Sequence, residues 1–319
     1  TPESPIGETG VRITSEGGEV SKPYEHSSSS EPHQNENEGT GSETTWKQRY
    51  HSAQYWDSRY EGCSQDSFDW YTDYQAMAPL FQFYLRKTSA VLNIGCGNSA
   101  VAEDLAMAGY PNITSIDISA KCVELRKKRC REMDDKEGRL KALRFMEMDA
   151  SELKFPDKTF DLCFEKGTID ALICDSKQNT SAIKAMIREA WRVLRPEGFL
   201  VVITYGAPNH RIAYFKNADS NDPAKEATPW DITVRRVPYS PSALLIRHLR
   251  LVLNGKPLRC VTGKMLAEAM AKVRDDTESF ETAEDEGPER SVFCYAYCCR
   301  KAEGAAAIQV HNKSGPKKL

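Results

Sequence analysis

A pair of glycines and a more distant acid are the residues best suited to bind a ligand. Gly95 and Gly97 follow an apolar run at 90–94, and Asp117 stands twenty positions after Gly97, at the end of a second apolar run. Glycine has no Cβ, so its backbone can approach a ligand closely, and an acid at this distance can bond two ribose hydroxyls. The spacing predicts a strand, a turn, a helix and a second strand that bind a nucleotide-type ligand.

Further candidate residues follow the next two apolar runs. Asp149 and Ala150 come after residues 143–146, where an acid can accept a hydrogen bond from an adenine amino group. Glu165 follows the run at 160–164. In an open parallel sheet, ligands lie beyond the carboxyl ends of the strands. We therefore expect these residues to face the same ligand.

The elements that must position these residues alternate along the chain. Strands are predicted at seven runs: 90–94, 112–116, 143–146, 160–164, 199–204, 231–237 and 292–299. Helices are predicted at 75–87, 100–108, 120–133 and 182–194, with two more near 241–253 and 263–273. This alternation predicts an α/β domain with a seven-stranded, mostly parallel sheet and helices on both faces.

Composition divides the chain into one domain between two tails. Residues 1–45 hold nine acids against Arg12 and Lys22 and almost no clustered apolar side chains, which predicts a disordered acidic tail. The domain is expected at 46–302, with an insertion at 240–290 before the last strand. Residues 303–319 are predicted to be a second disordered tail.

Charge and cysteine usage exclude several classes of protein. The whole chain has a net charge of −3, and the first 45 residues alone carry −7. The remainder therefore carries +4, which is too little to predict nucleic-acid binding. No apolar run of about 18 residues predicts a membrane span. The ten cysteines form no C-x-x-C pair. We expect reduced cysteines that bind no metal in a cytoplasmic or nuclear protein, with a disulfide framework as the alternative.

Four motifs together carry a resemblance to a known family. They are Tyr55 to Asp57, Phe68 to Tyr71, Gly95 to Ser99 and Glu165 to Asp170. On these motifs the chain resembles class I S-adenosylmethionine-dependent methyltransferases. More narrowly, it is similar to the eukaryotic methyltransferase-like group that includes lysine methyltransferases of translation elongation factor 1-alpha. The resemblance covers residues 46–208 well and 292–301 more loosely.

The resemblance implies a Rossmann-like fold with S-adenosyl-L-methionine as the cofactor. The implied cofactor contacts are Trp56, Tyr60, Trp70, Gly95, Gly97, Asp117, Ile118, Asp149, Ala150 and Lys166. In this interpretation Ile118 packs on adenine, and the aromatic residues cover the cofactor and shield its sulfonium. Core packing is the alternative role for Trp56 and Trp70. Asn93 departs from the family, because many members have an acid there.

Glu165 and Asp170 are the predicted catalytic residues. Methyl transfer from a sulfonium depends mostly on positioning, which agrees with the lack of a Ser–His or Cys–His signature. An acceptor lysine must first lose a proton, and we expect Glu165 to orient its ammonium with help from Asp170. A helix cap or a pair with Lys166 is the structural alternative for Glu165.

The leading interpretation is a protein-lysine methyltransferase that acts on a translation elongation factor or a similar protein. A small-molecule methyltransferase is the first alternative, with the 240–290 insertion as a lid. A non-catalytic cofactor-binding scaffold is the second. Nucleic-acid methylation is disfavoured because Glu165 to Thr168 replace an Asn-Pro-Pro-Tyr motif after the fourth strand.

Overall fold

The sheet and most of its helices lie within the part of the chain that the structure describes. A computed structural model describes residues 50, 52–61, 63, 67–133, 135–174, 180–215, 230–245, 268–272, 293–302 and 309–313. The predicted tail at 1–45 and most of the predicted insertion at 240–290 lie outside these residues. Within the insertion, residues 241–245 and 268–272 are helical.

Seven labelled helices surround the sheet. They are α1 (Ala53–Tyr60), α2 (Tyr74–Tyr84), α3 (Val101–Met107), α4 (Ala120–Glu132), α5 (Thr168–Ile173), α6 (Thr180–Val193) and α7 (Pro208–Phe215), with a 3₁₀ turn at Arg139–Ala142. Local signals explain where two of them begin. Asp73 caps α2 by accepting from the Ala76 amide, and Ser119 caps α4 by accepting from the Cys122 amide.

Eight strands form one sheet. They are β1 (Val91–Ile94), β2 (Ile113–Asp117), β3 (Arg144–Glu147), β4 (Phe160–Lys166), β5 (Leu194–Thr204), β6 (Trp230–Pro238), β7 (Phe293–Lys301) and β8 (Gln309–Lys313). Their order across the sheet is β3-β2-β1-β4-β5-β7-β6-β8. Neighbours among β1 to β5 are parallel, while β7 runs antiparallel to β5 and β6. The predicted α/β class and mostly parallel sheet are confirmed.

The sheet has one strand more than the seven predicted. Strand β8 pairs in parallel with β6, from Asp231 opposite Gln309 to Arg235 opposite Lys313. It lies within 303–319, so the prediction of a disordered tail is wrong for residues 309–313. The flanking segments are rich in Gly, Ala and Lys and predicted a tail. The strand's backbone hydrogen bonds come from the edge of β6, a partner that local composition does not reveal.

Both faces of the sheet are covered, as predicted. Leu92 and Ile94 of β1 lie in one hydrophobic cluster, whereas Val91 lies in the other. The strand alternation therefore divides its side chains between two cores, and a sheet buried on both faces reads as a continuous apolar run. Helix α6 packs its apolar stripe against the first cluster through Ile183, Met186, Ile187, Ala190 and Val193.

Two further observations concern the cysteines and the helices. None of the nine cysteines within the described ranges forms a disulfide. No helix in those ranges has both the length and the apolar character needed to cross a membrane.

Candidate active site

The turn after β1 requires glycine at two positions. Gly95 has a φ of +61° and Gly97 a φ of +51°, conformations that L side chains rarely adopt. A Cβ on Gly95 would lie 2.2 Å from the Thr168 Oγ1, and one on Gly97 would lie 3.1 Å from the Tyr60 hydroxyl. The turn therefore exposes backbone where a side chain has no room, as the spacing predicted.

Asp117 ends β2 beside this turn and is buried. Its Oδ2 accepts a hydrogen bond from the Gly97 amide at 2.8 Å, and its Oδ1 accepts one from the Ser119 amide at 3.0 Å. Burial raises the pKa of Asp117, while these two bonds act to lower it. Each carboxylate oxygen keeps a second lone pair, so the group can still accept from two ligand hydroxyls.

Helix α1 is docked over the start of α4. The Asp57 Oδ1 accepts from the Ser119 hydroxyl at 2.6 Å and from the Lys121 amide at 3.0 Å. These hydrogen bonds lower the pKa of Asp57. On the same helix, the rings of Trp56 and Tyr60 stack with centroids 6.1 Å apart. The helix thereby brings Tyr60 to the glycine turn.

Residues 67–72 form a strap across the carboxyl edge of the sheet. The Phe68 amide donates to the Asn98 carbonyl at 3.0 Å, which ties the strap to the glycine turn. Lys166, which is buried, pairs with Asp69 at 2.9 Å and donates to the Trp70 carbonyl at 3.3 Å. Lys166 was predicted to contact the cofactor, and in the structure its ammonium holds the strap in place. The half-buried Trp70 belongs to the same strap.

Glu165 combines a structural contact with an unsatisfied oxygen. It lies at the carboxyl end of β4, fully buried, and its Oε2 accepts from the amides of Thr168 at 2.7 Å and Ile169 at 3.2 Å. Its Oε1 is buried with no hydrogen-bond partner among the described residues. Burial, followed by the nearby Asp170, raises the pKa of Glu165 to about 8. The helix-cap role is therefore present, and one oxygen remains available.

Asp170, the second predicted catalytic residue, is held by the protein's own groups. It accepts from the Thr204 hydroxyl at 2.5 Å, the Arg211 Nη2 at 2.9 Å and the Tyr205 amide at 3.4 Å. Both Asp170 and Arg211 are buried. Burial raises the pKa of Asp170, and the Arg211 guanidinium opposes that rise. This ion pair joins α5 to α7 and occupies much of the carboxylate's bonding capacity.

Three tyrosines meet beside Asp170. The ring centroid of Tyr71 lies 5.9 Å from that of Tyr205 and 6.1 Å from that of Tyr239. Tyr71 has a φ of +62°, an unusual conformation for a bulky residue, and its carbonyl accepts from the Ser240 amide at 2.9 Å. Gly167 has a φ of +81°, which favours glycine, and a Cβ there would be in ordinary van der Waals contact with the Tyr71 ring at 3.4 Å.

The sequence-based site did not include Tyr205, Tyr239 or Arg211. Tyr205 directly follows β5, and Tyr239 directly follows β6. Those two strands run in the same direction, so their carboxyl ends lie at the edge that also carries Glu165. An aromatic residue placed directly after a strand was the available signal. Nothing local to Arg211 indicates its partner.

The remaining predicted contacts follow β2 and β3, which are neighbours. Half-buried Ile118 follows Asp117, and Ala150 is also half-buried. Asp149 is exposed, and its Oδ1 accepts from both the amide and the hydroxyl of Ser151 at 2.7 Å. The Met148 amide donates to the Asp117 carbonyl at 2.9 Å, which ties the two loops together. The structure thus brings these four predicted residues to one edge.

Comparisons with known proteins agree with this geometry. A family profile described as a methyltransferase domain matches residues 92–202. EEF1A lysine methyltransferase 4 of Bos taurus is 31% identical over 187 residues, which cover 56% of this chain and 71% of that protein. The chain belongs to this methyltransferase family.

Two other similar proteins match different fractions of this methyltransferase chain. The eEF1A lysine and N-terminal methyltransferase of Mus musculus is 30% identical over 241 residues. That match covers 69% of this chain and only 34% of the mouse protein, so the chain spans about a third of that relative. A SAM-dependent methyltransferase structure from Methanosarcina mazei is 19% identical, covers 74% of this chain and 99% of that chain, and has a TM-score of 0.40.

The methyltransferase uses S-adenosyl-L-methionine, and the residues of the glycine turn fit that group. The positive-φ glycines present backbone that carries no Cβ, and beside them each oxygen of Asp117 accepts one amide hydrogen bond and can accept another. Asp117 would hold the ribose hydroxyls, and Ile118 and Asp149 would hold the adenine. These individual contacts remain predictions, as do those of Trp56 and Trp70.

Proposed function

We propose that this methyltransferase modifies a lysine side chain of a translation elongation factor. The observation that carries the proposal is the cluster of Tyr71, Tyr205 and Tyr239, which lies beside the buried Asp170. Asp170 in turn is a charged neighbour of the buried Glu165. Relatives named as eEF1A lysine methyltransferases support the same acceptor. We further expect a protein substrate in the cytoplasm, where translation takes place.

The cofactor supplies an activated methyl group, so the protein must orient the acceptor and remove its proton. A free lysine has a pKa of about 10.4, roughly 3.4 units above neutral, which corresponds to about 4.6 kcal/mol for deprotonation. An apolar, aromatic lining disfavours the charged amine and lowers that pKa. Burial raises the pKa of Tyr71 and of Tyr205, with Asp170 as the next cause, so both phenols are neutral at pH 7.

Glu165 is the group best suited to orient the amine. Its Oε1 is buried without a partner, whereas its Oε2 stays fixed by the start of α5. With a pKa of about 8, both its protonated and ionised forms are populated near neutral pH. The ionised form can accept a hydrogen bond from the acceptor amine. We assign Asp170 a positioning role, because Arg211 and Thr204 already bind its carboxylate.

The test is methyl transfer from radiolabelled S-adenosylmethionine to purified eEF1A and to a whole-cell lysate. We expect one labelled protein band, with methyl-lysine identified by mass spectrometry of the purified factor. Label in a small-molecule fraction alone would favour the first alternative. Cofactor binding without any transfer would favour the scaffold. Either of these results contradicts the proposal.

Variants of Glu165 test the catalytic assignment separately. We expect Glu165→Ala to lower kcat about 100-fold while cofactor affinity stays near normal, because a group that positions the amine acts in the transition state. Glu165→Gln keeps the size and one acceptor oxygen, and so isolates the charge.

Glu189→Gln is the matched control for these variants. Glu189 also accepts from a backbone amide, that of Leu153 at 2.8 Å, but it lies in α6 near the start of β4. The kcat of Glu189→Gln should be normal. Normal turnover in both Glu165 variants would make that residue a helix cap only. A parallel loss of cofactor binding would move Glu165 into the cofactor site.

A further inference from the structure

Two thiols and a carboxylate come together behind the glycine turn. The Sγ atoms of Cys96 and Cys122 and a carboxylate oxygen of Asp117 all lie within 4.8 Å of one another, and all three residues are buried. The Cys122 thiol lies close enough to interact with both Cys96 and Asp117. Methyl transfer has no use for either thiol, so this group of donors is unexplained by the proposed function.

The backbone fixes the positions of the three donors. Cys96 stands between the two positive-φ glycines, and its amide donates to the Ile116 carbonyl at 2.9 Å. Cys122 lies in the first turn of α4, where its amide donates to the Ser119 hydroxyl at 3.0 Å. Asp117 is held by the two amides already described. The donors are therefore preorganised by the same elements that form the cofactor site.

We propose that Cys96, Asp117 and Cys122 form a binding site for a soft divalent metal ion, Zn²⁺ or Cd²⁺, that excludes the cofactor. Thiolate and carboxylate are established zinc ligands, with Zn–S distances of about 2.3 Å in tetrahedral geometry. That geometry separates neighbouring ligand atoms by about 3.7 Å, which the present spacing reaches with small side-chain movements. The fourth position is left for water.

Binding exchanges protons for the metal. Each thiol releases its proton to solvent as its sulfur bonds the ion, and no oxidant or reductant takes part. Burial of the neutral thiols opposes ionisation, and the positive ion offsets that penalty by pairing with the thiolates. Metal affinity should therefore increase with pH.

Competition with the cofactor follows from the shared carboxylate. Asp117 is the predicted partner of the ribose hydroxyls, and a metal on that carboxylate removes the acceptor they need. Linkage then requires that S-adenosylmethionine weaken metal binding by the same factor as the metal weakens cofactor binding. Thiol-binding metals would then inhibit the enzyme by displacing the cofactor, without any change around Glu165 and Asp170.

The test uses direct metal binding, so it does not depend on the acceptor. The reduced, full-length chain is titrated with Cd²⁺ and followed by the ultraviolet thiolate-to-cadmium band, and Zn²⁺ is titrated by calorimetry. We expect one equivalent to bind and a saturating concentration of S-adenosylmethionine to weaken that binding at least tenfold. Cys122→Ala should weaken metal binding at least tenfold, and Cys122→Val should do the same.

Cys130→Ala is the matched control, because Cys130 lies on the same helix but contacts Glu103 instead of the cluster. Its metal affinity should be unchanged, and thermal unfolding checks that every variant is folded. The proposal would be overturned by no saturable binding, by equal binding in folded Cys122 variants, or by metal binding unaffected by the cofactor. If the Cys130 variant loses affinity as much as the Cys122 variants, the metal is bound elsewhere and the proposal is wrong.

Discussion

The carboxyl edge of the sheet has a cofactor half, around the glycine turn and Asp117, and an acceptor half, around Glu165 and Asp170. The two halves hold their buried acids in different ways. In the cofactor half, Asp117 is bound by backbone amides two and twenty positions away. In the acceptor half, Asp170 is bound by the side chains of Thr204 and Arg211, 34 and 41 positions away. The first arrangement is built from backbone near a glycine turn, and the second depends on packing between α5, β5 and α7.

Glu165 differs from both of these acids. Burial raises the pKa of all three, yet of these three acids only Glu165 has a buried oxygen with no hydrogen-bond partner in the described part of the chain. A buried polar atom left unpaired is costly, and such atoms cluster where function requires them. The comparison teaches that in the cofactor half both oxygens of Asp117 have hydrogen-bond partners before a ligand binds. In the acceptor half, one oxygen of Glu165 has no partner among the described residues.

The largest expected effect is on the buried ion pair of the acceptor half. Asp170→Ala leaves the Arg211 guanidinium buried without its partner, which should lower the free energy of unfolding by about 3–5 kcal/mol. Chemical denaturation measures this. The double variant Asp170→Ala/Arg211→Met, which no longer buries an unpaired guanidinium, should recover part of the lost stability. A change below about 1 kcal/mol would show that this half does not depend on the pair.

The next effect concerns the cofactor half. Asp117→Ala should weaken S-adenosylmethionine binding about 100-fold or more, since two charge-assisted hydrogen bonds contribute about 1.5–3 kcal/mol each. Calorimetry measures the affinity. Asp117→Asn keeps one acceptor oxygen for the backbone amides and should lose less. Unchanged affinity in the alanine variant would remove Asp117 from the ribose site and with it the contrast between the halves.

The last expected effect is spread over several pH units and distinguishes Glu165 from an ordinary acid. Its pKa is raised from 4.5 to about 8, so the folded protein binds more protons than the unfolded chain between these values. Stability should then fall as pH rises from 4.5 to 8, by up to about 1.4 kcal/mol per pH unit. The unfolding free energy of Glu165→Gln relative to the native protein should rise over that window.

Glu189→Gln supplies the control of opposite sign. The hydrogen bond from Arg192 lowers the pKa of Glu189, so its contribution is present above its usual pKa and is lost as pH falls. Relative to the native protein, this variant should be least stable at neutral pH and should approach it in acid. If the unfolding free energy of Glu165→Gln relative to the native protein does not change with pH, the pKa of Glu165 is not raised in the folded protein and this prediction is wrong.

All seven main strands were predicted from the sequence, because each contains a local run of strand-forming, mostly apolar residues. The strand boundaries differ most at β5, which begins at Leu194 rather than at residue 199. There a register shift opposite Phe160 and Leu162 of β4 accommodates the turn residues. Strand β8 was missed for a related reason: its pairing partner β6 lies far away in the sequence.

The site followed the same division. Gly95, Gly97 and Asp117 were predicted from local spacing, because a positive φ and a close backbone approach require particular residue types. Lys166 was predicted to contact the cofactor, and its pairing with Asp69 depends on a strap that begins almost 100 positions earlier. No local pattern specifies where a long charged side chain finds its partner.

The sequence by itself determined the alternating elements, the glycine turn and the acid at the end of β2, since strand, turn and helix preferences act over a few residues. Only the tertiary structure decided that Asp170 pairs with Arg211, that three tyrosines meet beside Asp170, and that Cys96 and Cys122 lie beside Asp117. These contacts join segments that are separate in the chain, and burial fixes them because an unpaired buried charge or polar group is too costly to leave.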